Sequence, residues 1–353
     1  MHIPDGYLSP ATCAALYAGA APFWHVAVRS VRRRLHTRLV PVLSLVAAFS
    51  FVVMMFNVPL PGGTTGHAVG IGVAVALVGV WPAILALSVA LVIQALLFGD
   101  GGITAIGANC FNIAIVGSLV AGGAYRILAH GAAVDARRRA MAAGVAGYVG
   151  INAAALCTAI EFGLQPLFYR DAAGVPLYSP YPLSIAVPAM MAGHLTIAGL
   201  AEAIASFGVV SFVQRTDPAL LATPAAGPSG PPGRVMRSYW LALGLLLALT
   251  PLGILAGGTA WGEWQASDFA DPAAREEIAA ASFDHAPPAS PPEGLARLSS
   301  LWTAPLAGYT APWVSSAAVG YALSAMFGTG VVILIATAVA RGLRRRPVEP
   351  AVP

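Results

Sequence analysis

A histidine stands at position 2, directly behind the first residue, in the stretch MHIPDGYLSP. At this position the α-amine of Met1, the backbone nitrogen of His2 and an imidazole nitrogen of His2 can bind one metal ion. They close two fused chelate rings in one plane. A deprotonated amide favours square-planar ions such as Ni²⁺ and Cu²⁺, whereas Mg²⁺ and Ca²⁺ prefer oxygen ligands. The three nitrogens leave the fourth corner of the square open.

His67 is the candidate for that fourth corner. It lies in the loop NVPLPGGTTGHAVG (57–70), whose glycines allow the backbone to approach a site closely. The turn Pro4-Asp5-Gly6 would fold the N-terminal segment back over the site. Each histidine taken alone could also be solvated, as terminal and loop histidines often are. Their combination favours a metal site formed by Met1, His2 and His67.

A second glycine-rich loop, FGDGGITAIGAN (98–109), is predicted to pack over the same site. Asp100 and Asn109 in this loop, together with Asp5, are candidates for hydrogen bonds that orient the site and its ligating imidazoles. The loop is not of the phosphate-binding type, because all nineteen basic residues of the chain are arginines and that loop needs a lysine. The chain is therefore not itself a P-loop ATPase.

The remaining ionisable residues give weaker indications. His194 and Glu202 lie inside one predicted helix, where ionisable side chains are functional candidates, although a hydrogen-bonded structural pair explains them equally well. His285 lies in a polar loop and is a weak candidate for transient metal contact. The three cysteines have no CxxC spacing and are interpreted as small apolar core residues.

The elements that must position these residues are membrane helices. Only 10% of the 353 residues are charged, against about 25% in soluble chains, and long apolar stretches recur throughout. The fold class is therefore all-α, a polytopic membrane bundle of about seven helices plus a two-helix C-terminal unit. The predicted helical segments are 8–28, 39–57, 67–80, 82–98, 110–129, 140–162, 183–213, 238–257 and 314–340. The third is too short for a straight crossing and is expected to be buried or broken.

Clustered arginines predict the orientation of the chain. Sixteen of the nineteen arginines fall into four groups between the apolar segments, and positive residues mark the cytoplasmic side. The prediction is a multi-pass plasma-membrane protein with an extracytoplasmic N-terminus and a cytoplasmic C-terminus. Met1, His2 and His67 then lie on the same, outer side. The first residues do not resemble a cleavable signal peptide, and the bulky His2 predicts that Met1 is retained.

A proline- and glycine-rich linker divides the chain into two predicted units. Residues 1–213 form the metal-binding membrane domain, residues 214–236 the cytoplasmic linker, and residues 237–346 an accessory unit. The outer loop of the accessory unit is acidic and would attract cations, unless it is merely solvated. Its acidic residues are Glu263, Asp268, Asp271, Glu276, Glu277, Asp284 and Glu293.

Four stretches resemble one family of metal-uptake proteins. The start MHIPDGYLSP, GGTTGHAVG around His67, LLFGDGGITAIGANCFNIAIVGS (96–118) and AGHLTIAGLAEAI (192–204) are similar to the CbiM/NikM family. These are the substrate-binding membrane subunits (S components) of energy-coupling-factor importers for cobalt and nickel. The segment PPEGLARLSSLW (291–302) is similar, more loosely, to the PDGLE (NikN-like) domain, which in that family is thought to help load metal.

The resemblance implies an inserted N-terminus whose Met1 amine, His2 amide and imidazole, and His67 bind the metal in a plane. It implies capture of Ni²⁺ or Co²⁺ as transported substrate at the outer face. Partners would be a transmembrane coupling (T) subunit, cytoplasmic ATPases and membrane lipid, with no nucleic acid. The sequence does not choose between nickel and cobalt. The alternative is a stand-alone metal-ion channel or secondary transporter; an enzyme is disfavoured, because the proposed site leaves no open catalytic position.

Overall fold

A computed structural model describes residues 1–34, 39–222 and 232–343 of the chain. The fold is predominantly α-helical, as predicted. Two short strands, β1 (Val58–Leu60) and β2 (Thr64–Gly66), form an antiparallel hairpin that the sequence did not predict. The helices are α1 (Pro10–Arg34), α2 (Leu39–Met54), α3 (Ile71–Val78), α4 (Val80–Ile93), α5 (Ile106–Asn109), α6 (Gly117–Leu128), α7 (Arg137–Phe168), α8 (Leu183–Gly193), α9 (Gly199–Thr216), α10 (Ala219–Ala222), α11 (Pro232–Leu249), α12 (Pro272–Ala281), α13 (Glu293–Leu298) and α14 (Ala317–Gly342).

Three π-helical stretches join or extend these helices. Gln94–Phe98 extends α4, Cys110–Val116 joins α5 to α6, and His194–Ala198 joins α8 to α9. With each helix and its continuation counted as one stretch, the described residues contain seven stretches long and apolar enough to cross a membrane. Each of the nine predicted helical segments contains a helix. Two of these helices, α2 and α3, are shorter and are not among the seven stretches that could cross a membrane.

The short helix α3 lies inside the bundle. It packs against α4, α6, α7 and α9, and all eight of its residues are buried. It begins at Ile71, four residues later than predicted, because Gly70 adopts the left-handed conformation with φ 81° before its first turn. His67 therefore lies in the loop before α3 and not on the helix.

The loops that carry the predicted site residues meet at one end of the bundle. Residues 1–9, the hairpin and the loop 99–105 are joined there by residues 256–316, which we call the cover segment. Backbone hydrogen bonds connect these parts, for example Gly102 N to Ile3 O (2.8 Å) and Thr65 N to Thr259 O (3.4 Å). We call this end the covered end.

The cover segment is a packed structure. It contains α12, α13 and short 3₁₀ turns, and it buries large apolar side chains against the bundle, among them Trp261, Trp264, Phe269 and Leu295. The indole of Trp261 lies beside the ring of Phe162 on α7 with centroids 6.1 Å apart. The segment is therefore packed against the bundle, although most of its acidic side chains are exposed.

The predicted linker 214–236 is partly occupied by helices. The end of α9, all of α10 and the start of α11 fall within it, and residues 223–231 lie outside the described residues. His36, Arg38, Arg344, Arg345 and Arg346 also lie outside them.

Candidate metal site

The N-terminal segment is buried at the covered end. Met1 is 3% exposed, His2 1% and Ile3 0%. The side-chain amide of Asn109 forms hydrogen bonds with both the N–H and the carbonyl group of Ile3. Ile3 N donates to Asn109 Oδ1 (2.8 Å), and Asn109 Nδ2 donates to Ile3 O (3.1 Å). This pair of bonds fixes the register of the segment one residue beyond His2.

The turn after Ile3 is fixed by the carboxylate of Asp5. Asp5 Oδ2 accepts from Ile103 N (3.0 Å), while Oδ1 accepts from Thr104 N (2.8 Å) and from the Thr104 hydroxyl. Asn109 thus contacts the backbone of the N-terminal segment, and Asp5 contacts the backbone of the loop 98–109. Neither residue contacts an imidazole, although both were predicted to orient one. Both residues position the segment that carries His2.

Gly102 lies where this loop packs closely against the N-terminal segment. A Cβ atom built on Gly102 would collide with the backbone nitrogen and carboxylate of Asp5. We expect Gly102→Ala to displace the segment, to cost about 1–3 kcal/mol of stability and to weaken metal binding at least about tenfold. Thermal unfolding and a Ni²⁺ titration test this. Gly123→Ala on α6 is the control, because its Cβ would meet nothing within 4 Å.

The two predicted imidazole ligands lie side by side. The ring centroids of His2 and His67 are 5.0 Å apart, with an interplanar angle of 59°. His2 Nδ1 contacts Asp100 Oδ1, and His2 Nε2 is buried without a hydrogen-bond partner. His67 Nδ1 lies 3.1 Å from Ala68 O. Of the predicted orienting residues, Asp100 is the one that contacts an imidazole.

The α-amine of Met1 is bound by a residue of the cover segment. Its nitrogen lies 2.9 Å from Glu263 Oε1, and the Met1 side chain is 1% exposed against 22% for Glu263. The sequence placed Glu263 only within a generally acidic loop. The chelate predicted from the sequence needs this amine together with Nδ1 of His2, because Nε2 cannot close a six-membered ring with the His2 amide. Both of these nitrogens are therefore held by carboxylates.

Asp100 is itself held from two sides. Its Oδ2 accepts from the Tyr309 hydroxyl (2.6 Å) and from Gln94 Nε2 (3.2 Å). Burial opposes ionisation of Asp100, but the charge and hydrogen bond of His2 outweigh it, so that the pKa of Asp100 lies below its usual value. The Tyr309 ring stacks on Phe98 with centroids 4.7 Å apart. The cover segment thus contributes a second contact to the site.

His67 is held neutral by its surroundings. Burial, with smaller effects from His2 and the N-terminal charge, lowers the pKa of His67 to about 3. A neutral imidazole has a nitrogen lone pair available for a metal ion. At pH 7 His67 therefore does not have to lose a proton before it binds a metal ion.

Glu202 positions the loop that carries His67. Its carboxylate accepts from Val69 N (2.7 Å), Gly70 N (2.7 Å) and Gly72 N (3.2 Å), at the N-terminus of α3. A carboxylate at a helix N-terminus interacts favourably with the helix dipole and with its free N–H groups. His194, the other ionisable residue of this stretch, has a different partner, since its Nδ1 lies 2.8 Å from Met190 O.

Side chains alone do not form the site. In the parts of the chain that the structure describes, no three His, Cys, Asp or Glu side chains are grouped so as to hold a metal ion. A site of the Cys/His zinc type is therefore absent from those residues. A metal site at His2 and His67 would need further donors, such as main-chain nitrogens.

Comparisons with known proteins show which family this chain belongs to. Residues 2–220 match the family model CbiM, described as a cobalt uptake substrate-specific transmembrane region, and residues 237–345 match the PDGLE domain. A "Fused nickel transport protein NikMN" of Rhodobacter capsulatus is 56% identical over 94% of this chain and 95% of that protein. A "Cobalt transport protein CbiM" of Geobacter sulfurreducens is 31% identical over 73% of this chain and 72% of that protein.

A solved structure is also similar. A crystal structure described as a truncated transition metal transporter has a TM-score of 0.58 and 49% sequence identity, and the match covers 61% of this chain and 99% of the other. The family resemblance read from the sequence is confirmed for both units. The chain belongs to the CbiM family of cobalt uptake substrate-specific transmembrane regions and carries a PDGLE domain in the same polypeptide.

Proposed function

We propose that this chain is the substrate-specific component of an energy-coupling-factor importer and captures Ni²⁺ or Co²⁺ as its transported substrate. The ligands are the Met1 amine, the His2 amide and Nδ1, and an imidazole nitrogen of His67. The observation that carries the proposal is the buried pair His2 and His67, with ring centroids 5.0 Å apart beside the Met1 amine. The names of the relatives, nickel and cobalt transport proteins, support this substrate class.

Capture takes place at the extracytoplasmic face, which is the covered end in the arginine-based orientation. Import then depends on a transmembrane coupling subunit and cytoplasmic ATPases, for which the CbiM family membership is the support. A planar set of four nitrogen donors favours nickel over cobalt.

The alternative is a channel or secondary transporter that acts alone. Metal uptake by this chain in vesicles without ATP and partner subunits would favour that alternative.

A metal titration of the purified full chain tests the proposed ligands. We expect Ni²⁺ and Co²⁺ to bind one ion per chain, and His67→Ala to weaken binding by more than about 100-fold, because the square loses one of its four donors. Cu²⁺ serves as a reference ion for the planar geometry. Equal affinities of His67→Ala and the native chain would overturn the proposed ligand set.

The pH dependence of binding reports which groups lose protons. Binding releases one proton from the Met1 ammonium, one from the His2 amide and, where the His2 ring is charged, one from its imidazole. The affinity therefore falls as pH falls, by about 100- to 1,000-fold per pH unit. His67 contributes no proton above its pKa of about 3. Ni²⁺ titrations between pH 5 and 7 measure this slope. A slope of about one proton would exclude the amide as a ligand.

A further inference from the structure

A polar cavity lies beside the candidate site, between the N-terminal segment, the loop 98–109 and the cover segment. Its volume is about 390 Å³, and its lining includes Asp100, Glu263, Ser299 and Thr303. A divalent ion with six waters, at roughly 30 Å³ for each water, needs about 180 Å³. The cavity is therefore large enough to admit a hydrated ion.

Three carboxylates line this cavity, and two of them, Asp100 and Glu263, contact the proposed ligand nitrogens, whereas Asp5 binds the loop 98–109. Asp100 contacts His2 Nδ1, and Glu263 contacts the Met1 nitrogen, so that each holds one of the nitrogens that the chelate needs. Their side chains are 16% and 22% exposed. Meanwhile His2 Nε2 is buried without any partner. An ion that comes through the cavity meets these two carboxylates before it meets the nitrogens.

We propose that Asp100 and Glu263 form a loading pair at the inner end of this cavity. In the metal-free chain the pair holds the chelating nitrogens of His2 and Met1 in place. An incoming hydrated cation exchanges waters for the carboxylate oxygens and then exchanges those oxygens for the nitrogens, whose protons are released to water. This inference rests on the proposed function and adds to it a route for the ion and the two carboxylates that it meets on that route.

The loading pair has opposite effects on rate and on affinity. Its negative charge raises the local concentration of cations and so accelerates binding. Because Glu263 also competes with the metal for the Met1 amine, its removal strengthens the final complex. A residue that merely supports the fold would change both quantities in the unfavourable direction.

Stopped-flow binding of Ni²⁺ to the full chain, followed by tryptophan fluorescence, tests the pair. We expect Glu263→Gln to slow association about tenfold and to lower the Kd about threefold. Glu263→Asp, which keeps the charge, restores most of the rate. Glu277→Gln on the exposed face of α12 removes the same charge away from the cavity and leaves the rate at its native value.

The cavity as a route is tested by blocking it. Ser299 lines the cavity and is exposed, and its exposed neighbour Ser300 is not part of the lining. In a Cys157→Ala background, we expect a bulky maleimide on Ser299→Cys to slow Ni²⁺ association about tenfold or more, and the same label on Ser300→Cys to leave it unchanged. This test uses no variant of the site itself.

The outcomes separate this inference from the proposed function. Native association rates in both Glu263→Gln and labelled Ser299→Cys would overturn the loading pair while the chain still binds Ni²⁺. A Glu263→Gln chain with weaker equilibrium binding and a lower unfolding temperature would likewise reduce Glu263 to a structural residue. Failure of the native chain to bind Ni²⁺ and Co²⁺ would overturn the proposed function itself.

Discussion

One residue added before Met1 is expected to abolish tight Ni²⁺ binding, with a loss of more than about 100-fold in affinity. An added residue converts the Met1 amine into an amide and moves the free amine out of the chelate. The segment also has no room for it, because Met1, His2 and Ile3 are buried and Asn109 fixes the backbone of Ile3. The measurement is a titration of a chain whose first residues are verified by intact mass.

The matched control carries the same residue after Pro353. We expect that chain to bind Ni²⁺ with native affinity, since the addition is made at the other end of the polypeptide. His2→Ala provides a second comparison, because it keeps the free amine and the amide but removes the imidazole. Native affinity in the chain extended before Met1 would contradict the amine as a ligand.

Glu202→Ala is expected to destabilise the protein by roughly 3 kcal/mol or more. The substitution removes the acceptor of three buried N–H groups, those of Val69, Gly70 and Gly72. The N-terminus of α3 also loses its favourable negative charge. Because His67 lies two residues before the first of these groups, we expect metal affinity to fall as well, although Glu202 touches no proposed ligand atom.

Thermal unfolding and Ni²⁺ titration measure the two effects of Glu202. Glu202→Gln retains the shape and one acceptor oxygen, and so its loss of stability should be smaller, about 1–2 kcal/mol. Glu161→Gln is the matched control, since Glu161 is bound by Asn112 elsewhere in the bundle. If Glu161→Gln lowered Ni²⁺ affinity as much as Glu202→Ala, the specific positioning of His67 by Glu202 would be refuted.

The helices could be predicted from the sequence because long apolar segments and arginine clusters are strong local signals. The β1–β2 hairpin could not, because its strands have three residues each and lack an alternating pattern. The late start of α3 depends on the conformation of Gly70, which hydropathy does not report. Hydropathy also does not predict the π-helical stretches that join α5 to α6 and α8 to α9.

At the candidate site, the close approach of His2 and His67 could be predicted, because coordination chemistry restricts which residues can share a planar ion. Asp100 could be predicted as an imidazole partner from its place in the glycine-rich loop. Glu263 could not be predicted as the partner of Met1. The two lie 262 positions apart, and the sequence does not distinguish Glu263 from the other acidic residues of the loop. Glu202 could be predicted as an ionisable residue inside the bundle, but its backbone partners could not, because no sequence pattern identifies them.

The contact between Met1 and Glu263 is made within one polypeptide, and this has a consequence for stoichiometry. Two parts on one chain meet at an effective concentration that does not depend on how much protein the cell makes, of the order of millimolar for short flexible connections. Every binding unit therefore has its own cover segment at any expression level. If the same two parts were made as separate chains, Glu263 would reach Met1 only as often as the concentration and affinity of the second chain allowed.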